Sequence, residues 1–396
     1  MGCKYTSPML EHKDELSLLG PNLIDNFLTS GGPGKVKSGL NNIKIQITKN
    51  LKNITEKNIT SDEFLKSLPQ DIYDYITKHP YTTSPEDEEE QDVIDTEPVV
   101  LNGGNSYWGQ WNGNTVMSGK GKYYIQDEGV YVEGHWKDGI FTKGRIIIPE
   151  GVYEGEILDN TFNGQGTMRY KDGRVYEGNW VKNNKEGEGC LSWPDGSKYW
   201  GHFENDQING EGEFIWTNGY HYKGNFVDGV FEGKGTLKAK NGSKYEGEFK
   251  EGLYDGYGKF TWGGDKDKGS KVKYVGCYKY GNKEGSGKYY MKNGHVFDGM
   301  WKDGLPHGQG VVETEYKTYK SMWRNGQMVE NVLEEVKEGD GVDENVELNF
   351  DFKNVKKEDI DYKMLMYLDI IPGELREEMM GSKLRPNDLE VKDSLY

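Results

Sequence analysis

The sequence predicts a mainly β fold: an elongated single-layer antiparallel sheet of tandem hairpins, with short flanking helices and disordered segments. Three observations carry that expectation. Among 396 residues there are 55 Gly and 27 Tyr while hydrophobic types make up only 34%, so the surface to be buried is largely aromatic and interrupted by glycine, a poor basis for a thick globular core. A unit of aromatic-x-Gly-x-aromatic followed by Gly-x-Gly returns at a constant period through the middle of the chain, and a fixed period means stacked units rather than one globule. Turn-forming dipeptides separate the short alternating segments.

The chain opens Met1-Gly2-Cys3-Lys4-Tyr5-Thr6, the pattern for N-myristoylation of Gly2 once Met1 is removed, with Cys3 beside it as a palmitoylation site. One myristoyl chain gives only reversible contact, with a binding constant on the order of 10⁴ M⁻¹, so a second chain is what turns contact into residence on a membrane. The alternative is an ordinary tail in which Met-Gly-Cys has no role. Residues 1–40 are expected as an acylated flexible tail and 41–82 as a short basic and helical segment. Between 35 and 57, Lys35, Lys37, Lys44, Lys49, Lys52 and Lys57 stand against Glu56 alone. That stretch either rests on anionic lipid, at about 1 kcal/mol per lysine near the surface, or is simply solvated. Thr60 with Glu63 is a capping box, Phe64, Leu65 and Leu68 precede Pro69, and Ile72, Tyr73, Tyr75 and Ile76 make a second apolar stripe, so a short helix pair is expected. Residues 83–98, with Glu86 to Glu90 wholly acidic, repel themselves and read as a linker.

The repeat block spans 99–325. Its leading aromatics are Tyr153, Tyr176, Tyr199, Tyr222, Tyr245, Tyr274 and Phe297, equally spaced except for one longer gap before Tyr274, where an insertion falls. Each is followed by a glycine, at Gly155, Gly178, Gly201, Gly224, Gly247, Gly276 and Gly299, and most by a second aromatic, at Trp180, Phe203, Phe226, Phe249 and Trp301. Closing pairs keep step, from Gly164 and Gly166 to Gly308 and Gly310. Degenerate copies begin at Tyr107 and Val132, and a final half copy at Tyr319 replaces its Gly with Ser321, as end units of an array are expected to do. About nine repeats result. Alternation within each unit predicts two short strands, one face aromatic and glycine, the other charged. Asp172-Gly173, Asp195-Gly196, Asn218-Gly219, Asn241-Gly242 and Asn293-Gly294 tolerate the positive φ of tight turns. Glycine normally weakens a strand; repeated at fixed places it leaves room for neighbouring rings to lie flat on the backbone.

These residues resemble MORN (membrane occupation and recognition nexus) repeats, most plainly Tyr-Glu-Gly-Glu-Phe at 245–249 with Gly256 and Gly258. The resemblance implies a long, twisted, single-layered antiparallel sheet that serves as a platform for protein partners through an aromatic groove. It further implies membership of a cytoskeletal or ciliary assembly, or phosphoinositide binding, as alternatives, and end-to-end pairing into a homodimer. MORN-containing enzymes carry their chemistry in a separate large domain, and the stretch from Gly326 to Tyr396 is too short to hold one.

Charge and composition narrow the function further. The net charge of −17 comes from the flanks: residues 99–325 hold 30 basic and 30 acidic side chains, 1–98 hold 10 and 17, and 326–396 hold 9 and 19. Nucleic acid is therefore not an expected partner, since phosphate neutralisation needs a surplus of Lys and Arg. Cys3, Cys190 and Cys277 are too scattered for a disulfide framework or a zinc site. No stretch reaches the ~20 apolar residues of a membrane-spanning helix, so the cytoplasmic face of a membrane is the expected location. Gly281 to Lys288 superficially matches a phosphate loop, but Tyr289 stands where Ser or Thr belongs. Asp265 to Gly269 hints at a calcium loop, but Gly276 stands at its closing position. No catalytic constellation, cofactor site or metal site is expected. The acidic tail 326–396 carries one helix around Asp359 to Ile371 and a second from Glu374 to Met380, which either cover the end of the sheet or bind a partner.

Overall fold

The computed structural model describes residues 55–82, 93–101, 103–113, 116–263 and 272–336. Gly2, Cys3, most of the lysine-rich stretch, the insertion at 264–271 and the expected tail helices lie outside them. The described residues form a mainly β protein with 23 strands and two short helices, as the sequence predicts. The chain divides into two compact units, one ending at Asp206 and one beginning at Gln207. Within each, the strands form antiparallel hairpins in chain order. Typical are Val175–Val181 with Asn184–Ser192 in the first unit and Lys244–Lys250 with Leu253–Thr261 in the second.

The leading aromatic of each repeat lies across a pair of glycines that face each other on adjacent strands. Gly155 is opposite Gly166, Gly178 opposite Gly189, and Gly247 opposite Gly258. A Cβ at Gly155, Gly178, Gly224 or Gly247 would stand 2.5–2.6 Å from the hydroxyl oxygen of the tyrosine two positions before it, closer than any real Cβ sits. The hydroxyl then donates to the carbonyl three positions on: Tyr153 to Glu156 at 2.9 Å, Tyr176 to Asn179 at 2.9 Å, Tyr222 to Asn225 at 2.9 Å, Tyr245 to Glu248 at 2.8 Å. A ring pressed flat on the backbone is thereby buried without stranding its polar atom.

The two closing glycines act differently. Between Gly178↔Gly189 and Trp180↔Lys185 the second strand carries extra residues, and Gly187 within that bulge has φ +65°, the left-handed region where a Cβ is penalised. Gly164, Gly210, Gly233, Gly256, Gly285 and Gly308 take the same conformation. The first closing glycine therefore bends the strand, and the second is the bed of the ring.

Two kinds of turn alternate. The dipeptides named from the sequence join one repeat to the next: Gly173, Gly196, Gly219, Gly242 and Gly294 have positive φ. The preceding Asp or Asn accepts the amide two positions on, as in Asp195 from Ser197 at 2.8 Å and Asn241 from Ser243 at 2.8 Å. Each repeat's own hairpin closes instead through two residues that both have positive φ, such as Asp159-Asn160, Lys182-Asn183, Glu251-Gly252 and Tyr280-Gly281. These are type I′ turns, whose twist matches the strands. Lys, Glu and Tyr at such positions give no turn signal in the sequence. The neighbouring repeat compensates: Gly252 N–H donates to the Phe231 carbonyl at 3.0 Å and Glu251 N–H to the Glu232 carboxylate at 2.9 Å.

The ends depart from the pattern. Strand Val93–Asp95, within the acidic stretch, pairs with the end of Ser106–Asn112, whose start pairs with Val99–Leu101. At the other end the half copy is completed by Gln327–Val336, which pairs with Lys317–Arg324. Helices α1 (Ser61–Ser67) and α2 (Gln70–Lys78) follow Thr60, which accepts from Glu63 N–H while the Glu63 side chain accepts from Thr60 N–H. Phe64, Leu68 and Ile72 pack on Tyr124, Tyr131, Ile147 and Val152, on the sheet face opposite the leading aromatics.

Gly166→Ala puts a methyl 2.6 Å from ring carbons of Tyr153 and is expected to cost about 3 kcal/mol, as overpacking against a fixed backbone does. Gly294→Ala meets nothing within 4 Å at φ +86° and is expected to cost only about 1 kcal/mol. Urea midpoints of the two variants check the order.

Candidate partner-binding face

The aromatic face is built by a ring network that passes from repeat to repeat. Tyr176 meets Trp180 of its own strand edge-on at 5.1 Å and Phe203 of the following repeat at 5.0 Å. Tyr222 meets Phe226 at 5.1 Å and Phe249 at 5.2 Å; Tyr274 meets Trp301 at 5.1 Å; Phe297 meets Trp323 at 5.1 Å. A further ring often stacks flat on the leading aromatic, Phe162 on Tyr153 at 3.8 Å, Phe231 on Tyr222 at 3.7 Å and Tyr254 on Tyr245 at 3.7 Å. Edge-to-face and offset contacts of this kind contribute about 0.5–1.5 kcal/mol each beyond the area they bury.

In consequence Tyr153, Tyr176, Tyr199, Tyr222, Tyr245, Tyr274 and Phe297 are fully buried, and Trp180, Phe203, Phe226, Phe249 and Trp301 nearly so. Gly155, Gly178, Gly224, Gly247, Gly276 and Gly299 sit beneath the leading rings, and Gly201 pairs with Gly189 in the first unit. The residues that define the repeat are thus its core. The accessible surface of this face is the row closing each second strand, including half-buried Tyr170 and Trp193 in the first unit and Trp216 and Trp262 in the second.

Two lysines occupy the slot that other repeats fill with the flat-stacked ring. Lys185 Nζ lies 5.8 Å from the centroid of Tyr176 and 5.9 Å from that of Trp180, and pairs with Asp206 at 2.8 Å. Lys283 Nζ lies 5.1–5.9 Å from Trp262, Tyr274, Tyr289 and Trp301. Such an ammonium substitutes cation–π attraction for stacking. Sequence reasoning passed over both, although the register shows them: the ninth position after each leading aromatic reads Phe162, Lys185, Ile208, Phe231, Tyr254, Lys283, Pro306.

The opposite face is polar in the second unit, with His221 and Lys223 on Glu213 at 2.6 and 3.6 Å and Lys288 on Asp298 at 2.7 Å, exposed or half-exposed pairs of small net effect. Under the helices it holds a buried charge cluster instead. Arg145, whose side chain is 7% exposed, binds Glu133 at 3.0 Å and Glu154 at 2.7 Å. It also donates to the His79 carbonyl at the end of α2 and lies near the Tyr75 and Tyr81 rings. Burial holds the Glu133 carboxyl above its ordinary range despite Arg145. Among the described residues no cluster of His, Cys, Asp and Glu suits a metal, and no helix is long and apolar enough to cross a membrane.

Burial raises the hydroxyls of Tyr107, Tyr131, Tyr153, Tyr176, Tyr199, Tyr222 and Tyr274 well above the usual tyrosine range, and that of Tyr123 to about 12. An acid whose folded value exceeds its unfolded one supports the fold fully below the unfolded value, about 10, and less as pH rises beyond it. The urea midpoint is therefore expected to fall steeply above about pH 10, with several tyrosines ionising together on unfolding, as followed by phenolate absorbance. Arg145→Met strands two carboxylates and is expected to cost about 3–5 kcal/mol locally. Amide exchange is the check, with protection lost in α1 and α2 and kept around Tyr222 and Tyr245.

Comparison with known proteins falls on the same segment. The family model of the MORN repeat matches residues 153–173, 176–198, 199–219, 222–244, 245–264, 274–296 and 297–313. No curated protein matches the chain. Among solved structures the chain is similar to the TCP domain of SAS-4 (dCPAP) of Drosophila melanogaster, in complex with a proline-rich motif of Ana2 (dSTIL). That likeness has 10% identity over 48% of this chain and 88% of that one, at a TM-score of 0.26. It is also similar to a catalytically inactive virginiamycin B lyase from Staphylococcus aureus with quinupristin, at 13% identity over 65% of this chain and 87% of that one and a TM-score of 0.12.

Proposed function

Because this chain is a MORN-repeat protein through residues 153–313, we propose that it is a non-enzymatic scaffold that binds protein partners across the aromatic face and is held at the cytoplasmic side of a membrane by acylated Gly2 and Cys3. The observation that carries the partner half is the use the fold makes of its side chains. The tyrosine hydroxyls and several indole N–H groups bond backbone carbonyls, as Trp180 does to Gly166 at 3.1 Å and Trp301 to Gly287 at 3.0 Å. The lysines on this face are engaged by rings and carboxylate. What remains among the described residues is a half-buried aromatic row, and partly accessible aromatic surface of that kind suits protein association. The membrane half rests on Met1-Gly2-Cys3 and the double-chain requirement for lasting attachment.

Metabolic labelling with a myristate analogue is expected to mark the wild type and not Gly2→Ala, and proximity labelling is expected to lose membrane neighbours in that variant. Labelling that ignores Gly2 ends the tethering half. Retention of both forms in a detergent-insoluble filament fraction would favour a structural role in a cytoskeletal assembly instead.

A further inference from the structure

The polar face of the second unit carries lysines that its own carboxylates do not balance. On the neighbouring strands Val230–Lys238, Lys244–Lys250, Leu253–Thr261 and Lys273–Lys279, the two rows nearest the turns between repeats hold Lys238, Lys244, Lys259 and Lys273 against Glu246 alone. Lys238 stands directly opposite Lys244, and like charges so placed repel. Glu246 is shared, with Lys244 Nζ at 2.6 Å and Lys259 Nζ at 3.7 Å, and these two ammonium groups hold its carboxyl below the ordinary range. Lys273 lies over the Tyr290 ring at 4.0 Å. Neither it nor Lys238 has a carboxylate partner among the described residues. Lys238 and Lys259 are exposed, Lys244 and Lys273 half-buried. Every described element of the second unit is a strand, so no helix of that unit covers these rows as α1 and α2 cover the first.

The chain supplies an anion where the row ends. Register carries one continuous line from Lys238 and Lys244 through Lys273, Tyr290 and Glu313 to Glu335, one residue before Val336, where the described chain stops. Beyond it come Glu338, Asp340, Asp343, Glu344, Glu347 and Asp351 with no Lys or Arg among them, a block of one sign. Strand Lys273–Lys279 is five pairings from Gln327–Val336, and Val230–Lys238 is eight, or about 24 and 38 Å at ~4.8 Å per strand. Extended chain reaches ~3.3 Å per residue, so residues 337–351 span up to about 50 Å, enough for the run to pass over all four lysines. Tethering at the end of the row presents the run at roughly millimolar effective concentration, so ion pairs that are individually weak suffice to hold it.

We propose that the acidic run Glu338–Asp351 of this chain lies along Lys238, Lys244, Lys259 and Lys273, crossing the strands of the second unit on the face opposite the aromatic rings, and withholds those lysines from other anionic partners. The inference is independent of the partner-binding reading above, which concerns the other face.

The test is carbodiimide cross-linking of the full chain at micromolar concentration, which joins a lysine amine to a touching carboxylate as an amide with loss of water, followed by peptide mapping of the monomer. Links from the four lysines to acids of 338–351 are expected. Their yields should exceed by about threefold those from Lys302, an exposed lysine nearer to Val336 but off the row, since charge rather than nearness selects the contact. At about 1 M salt, where the screening length is ~3 Å, the yields are expected to fall several-fold, while the Lys288 to Asp298 link within the sheet changes less. Lys238→Gln combined with Lys273→Gln is expected to cut the links from Lys244 and Lys259 about fivefold, with the urea midpoint kept. Absence of links to 338–351, links from the row only to other acids, Asp265 and Asp267 included, links found only between two chains, or yields equal to those of Lys302 and indifferent to salt overturn the proposal.

Discussion

The structure depends on one contact, an aromatic ring laid across two glycines that face each other on neighbouring strands. Where the ring is a tyrosine, three things come together: no Cβ on either strand, a flat ring, and a carbonyl within reach of the hydroxyl. Gly155 and Gly166 beneath Tyr153, whose hydroxyl reaches the Glu156 carbonyl, satisfy all three. Phe297 over Gly299 and Gly310 shows that the ring is the essential part and the hydroxyl an addition. Among the described residues the aromatic side gains a core from its own rings, which lie close enough to the backbone to bury one another.

The same contact couples neighbours. Within each compact unit a leading ring touches an aromatic of the following repeat, as Tyr176 touches Phe203 and Tyr245 touches Tyr278 at 5.3 Å, so these repeats do not complete their cores alone. Turns repeat the logic, since the Glu251-Gly252 backbone is satisfied by Phe231 and Glu232 of the preceding unit. Stability in such an array is a sum of nearest-neighbour terms, which leaves the ends to be solved separately. The N-terminal end is closed by helices and short strands. The Gln327–Val336 strand completes the last hairpin.

The helix pair shows what happens where the polar face is made apolar. Tyr131 and Val152 stand where later repeats place His221, Lys244 or Lys273, Tyr124 and Ile147 are their partners on the paired strands, and α1 and α2 cover all four. Arg145 ties that cover to the sheet through Glu133, Glu154 and the His79 carbonyl. A buried ion pair of this sort contributes little net stability but is costly to break from one side, which favours a single docked arrangement over a loose one.

The sequence by itself determined the architecture. A constant period, an alternating strand pattern and glycines in fixed register with aromatics dictate hairpins and the face on which the rings lie, because all three are local and repeat, and the Thr60 and Glu63 capping box was legible for the same reason. Tertiary structure alone decided the rest. Which closing glycine bends the strand and which carries a ring depends on pairing register across the hairpin. That Lys182 and Tyr280 take positive φ before Asn183 and Gly281 depends on strand twist and on neighbours that satisfy the turn amides, since the first residue of each pair carries no turn preference. The helix pair's position over Tyr131 and Val152 and the burial of Arg145 follow from contacts between residues distant in sequence, which a linear pattern does not encode.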